Sequence, residues 1–239
     1  MAGSGFGTNF RITTWGETHG AGVGVVVDGC PAGLSLERED VQKYLDRRKP
    51  GQSKYTTQRK EGDQVEILSG IFEGRTTGTP ISMVVYNKDQ RSKDYSNIKD
   101  IYRPGHADFT FDMKYGFRDY RGGGRSSGRE TIGRVAAGAV AAKVLKELGI
   151  EIKAYAKAIA GIEVSKDHFD FAEMNNNPFN MPDKEAAKLV QEKADQMIKE
   201  MDSIGGIIEC QITGMPVGIG ETVFDKLDAE LSKARSEEH

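Results

Sequence analysis

The sequence predicts an α+β protein, and three stretches of its 239 residues carry that prediction. Val23–Asp28 is a short run rich in β-branched residues, which is typical of a buried strand. Ser126–Leu148 is rich in alanine and Lys184–Met201 has apolar residues at helical spacing, so both predict helices. A chain of this length most often forms one large domain, and no linker of clear composition marks a boundary.

The first half of the chain alternates strands with one helix. After the strand Val23–Asp28, the turn Cys30-Pro-Ala-Gly33 leads to Ser35, which we expect to cap a helix that has acidic residues in its first turn. Pro50-Gly51 ends that helix. Gln64–Ile71 and Ile81–Tyr86 are predicted to be further strands.

The second half begins with a long polar connection, from Asn87 to Gly124, and connections of this length are usually functional. Small residues let the helix Ser126–Leu148 pack closely on one side, and Gly149 ends it. Ile150–Val164 is strand-like.

After the helix Lys184–Met201, Ile207–Ile212 is predicted to be a strand, and an amphipathic helix starts near Phe224. That last helix stops within a few residues, at His239. We therefore expect the sequence to be cut short of its domain.

Composition indicates a soluble globular protein, with 37% hydrophobic and 29% charged residues. No stretch approaches the roughly 20 apolar residues that cross a bilayer, and the N-terminus lacks the features of a signal peptide. Cys30 and Cys210 have no metal-ligand spacing. We expect a cytoplasmic protein without a metal site and without a membrane partner.

Charge is concentrated in two segments, although the formal net charge is only −3. Residues 46–60 hold six lysines and arginines against Asp46 alone, and residues 103–134 hold seven against four acids. This distribution predicts a bounded anion site and argues against a nucleic acid partner.

The stretch Arg121–Thr131 carries the most information. Its glycines let the backbone approach a ligand closely, and Ser126 and Ser127 stand at the predicted start of a long helix, where N–H groups and the positive dipole end favour an anion. A glycine-rich turn with a serine cap is an equally good interpretation of the residues alone. A contact with RNA through one Arg-Gly-Gly copy is disfavoured because no disordered repeats flank it.

Arg125, Arg129 and Arg134 add positive charge to this stretch. On one helix, Arg129 and Arg134 would lie roughly 140° apart around the axis, so two separate partners are as plausible as one. Arg48 belongs to a group of cations at the end of the predicted first helix. It either complements the helix dipole or recognises a carboxylate or phosphate, and the second arginine-rich segment favours recognition.

Two histidines are candidates for proton transfer. His19 lies between glycines in Gly16-Glu-Thr-His-Gly20, and His106 lies in Arg103-Pro-Gly-His-Ala-Asp108. On the residues alone, a loop histidine that is bonded to a local carbonyl is the favoured interpretation of His19, and the same interpretation applies to His106, although Asp108 could fix the tautomer of His106.

These motifs together resemble the chorismate synthase family. Gly16-Glu-Thr-His-Gly20 runs into an apolar strand and Asp28-Gly-Cys-Pro31, and Arg125–Thr131 is followed by Arg134-Val-Ala136, as in that family. The similarity extends from residue 5 to about residue 234. Further matching segments are Asp46–Gly51, Tyr55–Arg59, Asp89–Ser92, Asp94–Ser96, Arg103–Asp108 and Tyr120–Gly124.

The resemblance implies a β-α-β sandwich that assembles as a homotetramer. It implies conversion of 5-enolpyruvylshikimate 3-phosphate to chorismate and phosphate by an anti-1,4-elimination, a carbon–oxygen lyase reaction of the shikimate pathway. Reduced FMN is required in the family but is not consumed overall. Whether NADPH or an outside reductant reduces this flavin stays open.

The resemblance also implies roles for single residues. His19 would protonate the departing phosphate, and His106 would protonate the flavin. The substrate's anionic groups would be held by Arg48, Arg129 and Arg134. The flavin site would comprise Arg48, Lys54, Arg125, Ser126, Ser127 and His106.

Two departures from the family pattern qualify these expectations. Thr18 replaces the usual serine of the first motif, and its hydroxyl is expected to make the same bond. The family's last third, which carries part of the flavin site and an aspartate thought to assist proton removal, is absent. An inactive fragment that keeps anion-binding loops and oligomer contacts is therefore the alternative.

Overall fold

A computed structural model describes residues 3–56, 62–88 and 98–235 of the chain. These residues form two compact units. The first unit takes its described residues from 1–50, 59–148 and 216–239, and the second from 51–58 and 149–215. The expectation of one domain stays a prediction.

The first unit is built on an antiparallel sheet with the strand order β1-β2-β3-β7-β4, and a small hairpin pairs β5 with β6. The strands described in this unit are β1 (Gly5–Phe6), β2 (Arg11–Gly16), β3 (Gly22–Asp28), β4 (Val65–Ile67), β5 (Ile71–Phe72), β6 (Arg75–Thr76) and β7 (Ile81–Tyr86).

Among the described residues before 149, the same unit contains the helices α1 (Arg38–Arg48), α2 (Asp108–Tyr115) and α3 (Thr131–Glu147). α1 and α3 pack against each other and against the sheet. Alternate valines of β3, Val23, Val25 and Val27, are fully buried in the core between these layers. Burial of each such side chain stabilises the fold by about 1.5–3 kcal/mol.

The start of α3 lies unusually close to the sheet because residue 133 is a glycine. A Cβ at Gly133 would stand 3.0 Å from the Thr14 methyl carbon and 3.1 Å from the carbonyl oxygen of Gly24. Both distances are shorter than ordinary van der Waals contacts. The close approach brings the glycine-rich segment before α3 against the ends of β2 and β3.

The second unit consists of an antiparallel sheet, in the order β10-β8-β9, and one helix. Its elements are β8 (Glu151–Ile159), β9 (Ile162–Glu163), α4 (Lys184–Glu200) and β10 (Gly206–Thr213). Asp183 caps α4 by accepting hydrogen bonds from the N–H groups of Glu185 and Ala186. Ala186, Ala187 and Val190 then bury the apolar face of the helix.

The last described element is helix α5 (Leu227–Arg235), which belongs to the first unit and has no buried residue. Among the described residues, no helix combines the length and the apolar character needed to cross a membrane.

Most predicted elements are confirmed, and the strand Ile81–Tyr86 is confirmed residue for residue. Three predictions are wrong in detail. Ser35 does not cap α1: Glu37 is the cap residue, and its N–H donates to the carboxylate of Asp40. The predicted strand Gln64–Ile71 is interrupted after Ile67, because the chain turns at Gly70 into the β5–β6 hairpin.

The helix predicted from Ser126 begins only at Thr131. Two short 3₁₀ turns, Gly124–Ser126 and Gly128–Glu130, precede it. The connection after β7 also contains a helix that the sequence did not reveal, α2, while its residues 89–97 lie outside the described part of the chain.

Candidate anion-binding site

His19 lies in the loop between β2 and β3, and its side chain is shielded from solvent. The residue is 5% exposed, and the glycine-rich segment covers its ring. Gly122 has a φ of +66°, and a Cβ there would stand 2.4 Å from His19 Cδ2 and 2.5 Å from Nε2. Only glycine therefore allows this backbone to lie against the imidazole.

Asn87, the residue after β7, connects the His19 loop to an arginine. Its side-chain amide donates hydrogen bonds to the carbonyl oxygens of Glu17 (2.9 Å) and Gly20 (2.8 Å), on either side of His19. Its Oδ1 accepts a hydrogen bond of 2.7 Å from Arg129 Nε. The positions of the His19 loop and Arg129 are thus coupled through one side chain.

Arg129 and Arg48 meet at one buried carboxylate. Asp63 Oδ1 lies 3.0 Å from Arg129 Nη1, and Asp63 Oδ2 lies 2.9 Å from Arg48 Nη1. The side chain of Asp63 is 0% exposed, and that of Arg129 is 7% exposed. Paired and hydrogen-bonded in this way, these charges meet the usual condition for charge burial in a protein.

Arg48, the last residue of α1, reaches beyond its own helix. Its Nε donates to the Thr131 hydroxyl (3.2 Å) and its Nη2 to the Gly128 carbonyl oxygen (3.2 Å). The guanidinium therefore joins the end of α1 to the start of α3. These contacts are with the protein's own oxygens, and the role predicted for Arg48 in ligand binding stays a prediction.

Arg125 turns toward the sheet. It donates to the Gly16 carbonyl oxygen (3.0 Å) and to the Thr14 hydroxyl (2.7 Å), so it fixes the end of β2 where the His19 loop begins. The flavin-binding role predicted for Arg125 stays a prediction, and the contacts seen here are with the protein's own oxygens.

Arg134 pairs with a different carboxylate from the one that Arg48 and Arg129 share. Its Nε donates to Glu130 Oε2 at 2.9 Å, and its side chain is 46% exposed. Arg129 and Arg134 therefore have separate carboxylate partners, which is consistent with the prediction that the two arginines need not bind the same ligand group.

Arg134 lines a cleft of about 880 Å³. The cleft brings cationic side chains together with aromatic rings. Its lining includes Lys114, Arg121, Arg134, Phe111, Tyr115 and Phe117. The lining also holds the carboxylates of Glu17, Asp119 and Glu130 against five lysines and arginines, so it keeps a net positive charge that suits a ligand with negative charge.

Ser126 and Ser127 stabilise the 3₁₀ turns before α3. The Ser126 hydroxyl donates to the Gly123 carbonyl oxygen (2.8 Å), and Ser127 Oγ accepts from the Arg129 N–H (3.3 Å). We predicted that both serines stand at the N-terminus of a long helix. This prediction is wrong, because α3 begins at Thr131. Their ligand-binding roles stay predictions.

His106 lies on the exposed turn before α2, with its Nδ1 3.3 Å from the Pro104 carbonyl oxygen. Asp108 instead binds Arg103, which donates to its two oxygens at 2.8 and 2.9 Å. These hydrogen bonds lower the pKa of Asp108 to about 2. The idea that Asp108 sets the tautomer of His106 is not supported, because the contacts of this carboxylate are with arginine, including Arg118 at 3.7 Å.

Lys54 belongs to the second unit, where its ammonium group lies 2.7 Å from the Asp195 carboxylate. The hydrogen bond to Asp195 raises the pKa of Lys54. Its predicted place in the flavin site stays a prediction.

Two further groups lie around His19. The hydroxyl of Thr18 is buried and has no hydrogen-bond partner among the residues that the structure describes, and the bond expected for it stays a prediction. Asp119 is held by Arg121 (2.6 Å), which lowers the pKa of the aspartate, and the charge of His19 lowers it slightly further.

Asp63 and Asn87 were missed by sequence reasoning. A weak signal exists for both: Asp63 comes two residues before β4 and Asn87 directly follows β7, and polar residues at strand ends are frequent in sites. The sequence gives no sign that Asp63 is buried between two arginines.

The fold and these contacts define an α+β protein with a buried arginine–aspartate cluster beside a shielded histidine. A sequence model described as chorismate synthase matches residues 10–236. The chain belongs to the chorismate synthase family.

Relatives and a solved structure agree with this assignment. The chain is 69% identical to a chorismate synthase of Lachnospira eligens and 58% identical to one of Methanococcoides burtonii, in each case over 98% of this chain and 64% of the relative. A crystal structure of chorismate synthase matches with a TM-score of 0.70 and 30% identity, over 90% of this chain and 61% of that one. The predicted family and fold class are confirmed, and the chain spans 64% of the length of these curated relatives.

Proposed function

We propose that this protein acts in the conversion of 5-enolpyruvylshikimate 3-phosphate to chorismate and inorganic phosphate. The observation that carries the proposal is the cluster of Arg48, Asp63 and Arg129, coupled through Asn87 to the loop of His19. Family membership supports it, since the relatives carry the name chorismate synthase.

The reaction breaks one C–O bond, to the phosphate, and one C–H bond, and it forms the second double bond of the ring. Each turnover releases a phosphate and a proton. The substrate carries two carboxylates and a phosphate, so it needs several cations in a place shielded from water.

Arg48 and Arg129 bind one anionic group of the substrate. Their positions are fixed by Asp63, Asn87, Thr131 and the Gly128 carbonyl oxygen, so little reorganisation is required when the substrate arrives. Arg134, paired with Glu130 in the cationic and aromatic cleft, binds a second anionic group.

His19 donates a proton to the departing phosphate. Its burial against Gly122 excludes water from that side of the ring, and the Asn87 hydrogen bonds hold the loop. The buried Thr18 hydroxyl supports a ligand at this loop, because a buried hydroxyl costs free energy unless it is hydrogen-bonded.

Reduced FMN is the cofactor we propose. The 880 Å³ cleft supports it, because its lining combines one lysine and four arginines with four aromatic residues and includes Arg125 of the predicted flavin site. When bound, the flavin supplies electron density that favours cleavage of the C–O bond. Ser126, Ser127 and His106, with Arg48 and Arg125, are the residues of the first unit that we propose to hold it. His106 is the residue that we propose to protonate the flavin. Homotetrameric assembly, cytoplasmic location and NADPH as the reductant belong to the same proposal.

An anaerobic assay tests the proposal. The protein is mixed with substrate and photoreduced FMN, and chorismate and phosphate are quantified together. We expect equal amounts of both products and none when the flavin is oxidised. A folded protein that forms neither product would refute the proposed catalysis and favour the alternative of an inactive fragment that keeps anion-binding loops.

A further inference from the structure

Asp63 is held on both its backbone and its side chain. Its carbonyl oxygen accepts a hydrogen bond of 3.1 Å from Gln42 of α1, and the same glutamine accepts from the Val65 N–H at 3.0 Å. The backbone of Asp63 has a φ of +41°, in the left-handed region that a non-glycine residue rarely adopts. Such a conformation persists only where surrounding contacts enforce it, and it clusters at functional sites.

The carboxylate of Asp63 orients two guanidinium groups at once. Each oxygen accepts from a different arginine, Arg48 or Arg129. The Nε atom of each arginine donates to another protein oxygen, of Thr131 for Arg48 and of Asn87 for Arg129. Two contacts on a planar guanidinium determine its plane as well as its position.

Asp63 also sets the charge of the cluster. Its carboxylate places one negative charge between the guanidinium groups of Arg48 and Arg129, in a place where the aspartate side chain is 0% exposed and the Arg129 side chain 7%. Without the carboxylate, two neighbouring cations would repel more strongly in a medium that screens them poorly. Removal of this negative charge would strengthen the binding of inorganic phosphate beside the two arginines.

We propose that Asp63 is a positioning residue that aims Arg48 and Arg129 at the substrate and keeps their affinity for the released phosphate low. This inference rests on the proposed function for its substrate. Its consequence for phosphate binding can be measured without turnover.

The test compares Asp63→Asn, Asp63→Glu and a control variant. Asp63→Asn keeps the size of the side chain but removes its charge and turns an amide N–H₂ toward one arginine. Asp63→Glu keeps the charge. Asp40→Asn is the matched control, because Asp40 lies on α1 and pairs with Lys143 of α3, so it joins the same two helices by an ion pair outside the site.

Two quantities are measured on folded protein: kcat and KM for the substrate, and the Kd of inorganic phosphate by ³¹P NMR titration. For Asp63→Asn we expect kcat to fall by about 100-fold, since misplacement of a binding group by about 1 Å has that effect. We expect phosphate to bind about 10-fold more tightly, because one unit of negative charge is lost beside it. Asp63→Glu should keep a phosphate Kd near that of the wild type, and Asp40→Asn should change neither quantity.

A kcat and a phosphate Kd for Asp63→Asn that both match the wild type would overturn the proposal, even if the variant were less stable. If Asp63→Asn does not fold, the test uses Asp63→Glu, which keeps the charge. The proposal would be overturned if Asp63→Glu shifted the Kd of phosphate as far as an Arg129→Ala variant does. If the wild type itself makes no chorismate, the proposed function fails, while the phosphate titration still decides the role of Asp63.

Discussion

The contact between Gly122 and His19 makes a sharp prediction for Gly122→Ala. A methyl group at this position would lie 2.4 Å from His19 Cδ2, whereas ordinary carbon contacts need roughly 3.5–4.0 Å. The imidazole must therefore withdraw by about 1 Å or the glycine-rich segment must move by as much. A displacement of this size in a proton donor should lower kcat by about 100-fold.

Backbone strain must be separated from this steric effect. Gly122 has a φ of +66°, and a non-glycine residue in the left-handed region costs about 1–2 kcal/mol. Gly33→Ala is the control, because Gly33 has a φ of +84° and an added Cβ would meet nothing within 4 Å. The control should lose about 1–2 kcal/mol of unfolding free energy with kcat unchanged, and Gly122→Ala should lose about 1–3 kcal/mol more.

Urea unfolding gives the two stabilities, and chorismate formation gives kcat. A Gly122→Ala variant with the kcat of Gly33→Ala would refute the reasoning, because it would show that the imidazole need not stay where the structure places it.

Three further predictions follow from the site. Arg129→Ala should raise the Kd of the substrate by about 10-fold or more, because it removes one of the two guanidinium groups that pair with Asp63 and bind the anion; calorimetry measures this, and an unchanged Kd would contradict it. His106→Ala should abolish turnover and leave the oligomeric state unchanged in light scattering, and near wild-type activity would remove His106 from the mechanism. The pKa of Asp108 is lowered to about 2, so its contribution to stability, about 2 kcal/mol, is complete above about pH 4 and is lost as the pH falls toward 2. Urea unfolding between pH 3 and pH 6 should therefore show a steeper loss for the wild type than for Asp108→Asn, and parallel curves would contradict this.

The sequence predicted elements well where one physical signal was strong. The β-branched run of β3 and the apolar stripe of α4 each bury one face, so their patterns identify them. It predicted element ends less well. Ser35 looks like a helix cap, yet it pairs with Arg75 in an isolated bridge, and Glu37 takes the cap position. Such a choice depends on contacts from distant parts of the chain.

The sequence predicted the cationic residues of the site, but it did not reveal the aspartate and the asparagine that bind them. Arg48 and Arg129 stand in conspicuous basic segments, whereas Asp63 and Asn87 are single polar residues beside strands. Their importance arises only when the fold brings residues 48, 63, 87 and 129 together. Helix periodicity likewise placed Arg129 on a long helix, but two 3₁₀ turns carry the chain there because the extended backbone of Ser127 interrupts the helix.

In the proposed function, the Asp63 cluster and the His19 loop form one site for the phosphorylated substrate. Calorimetric titration of the protein with 5-enolpyruvylshikimate 3-phosphate tests this claim, with Arg129→Ala and Asp40→Asn measured beside the wild type. We predict saturable binding at one site per chain, weakened at least about 10-fold in Arg129→Ala and unchanged in Asp40→Asn. Absence of binding by folded wild type, or equal affinity in wild type and Arg129→Ala, would contradict the claim.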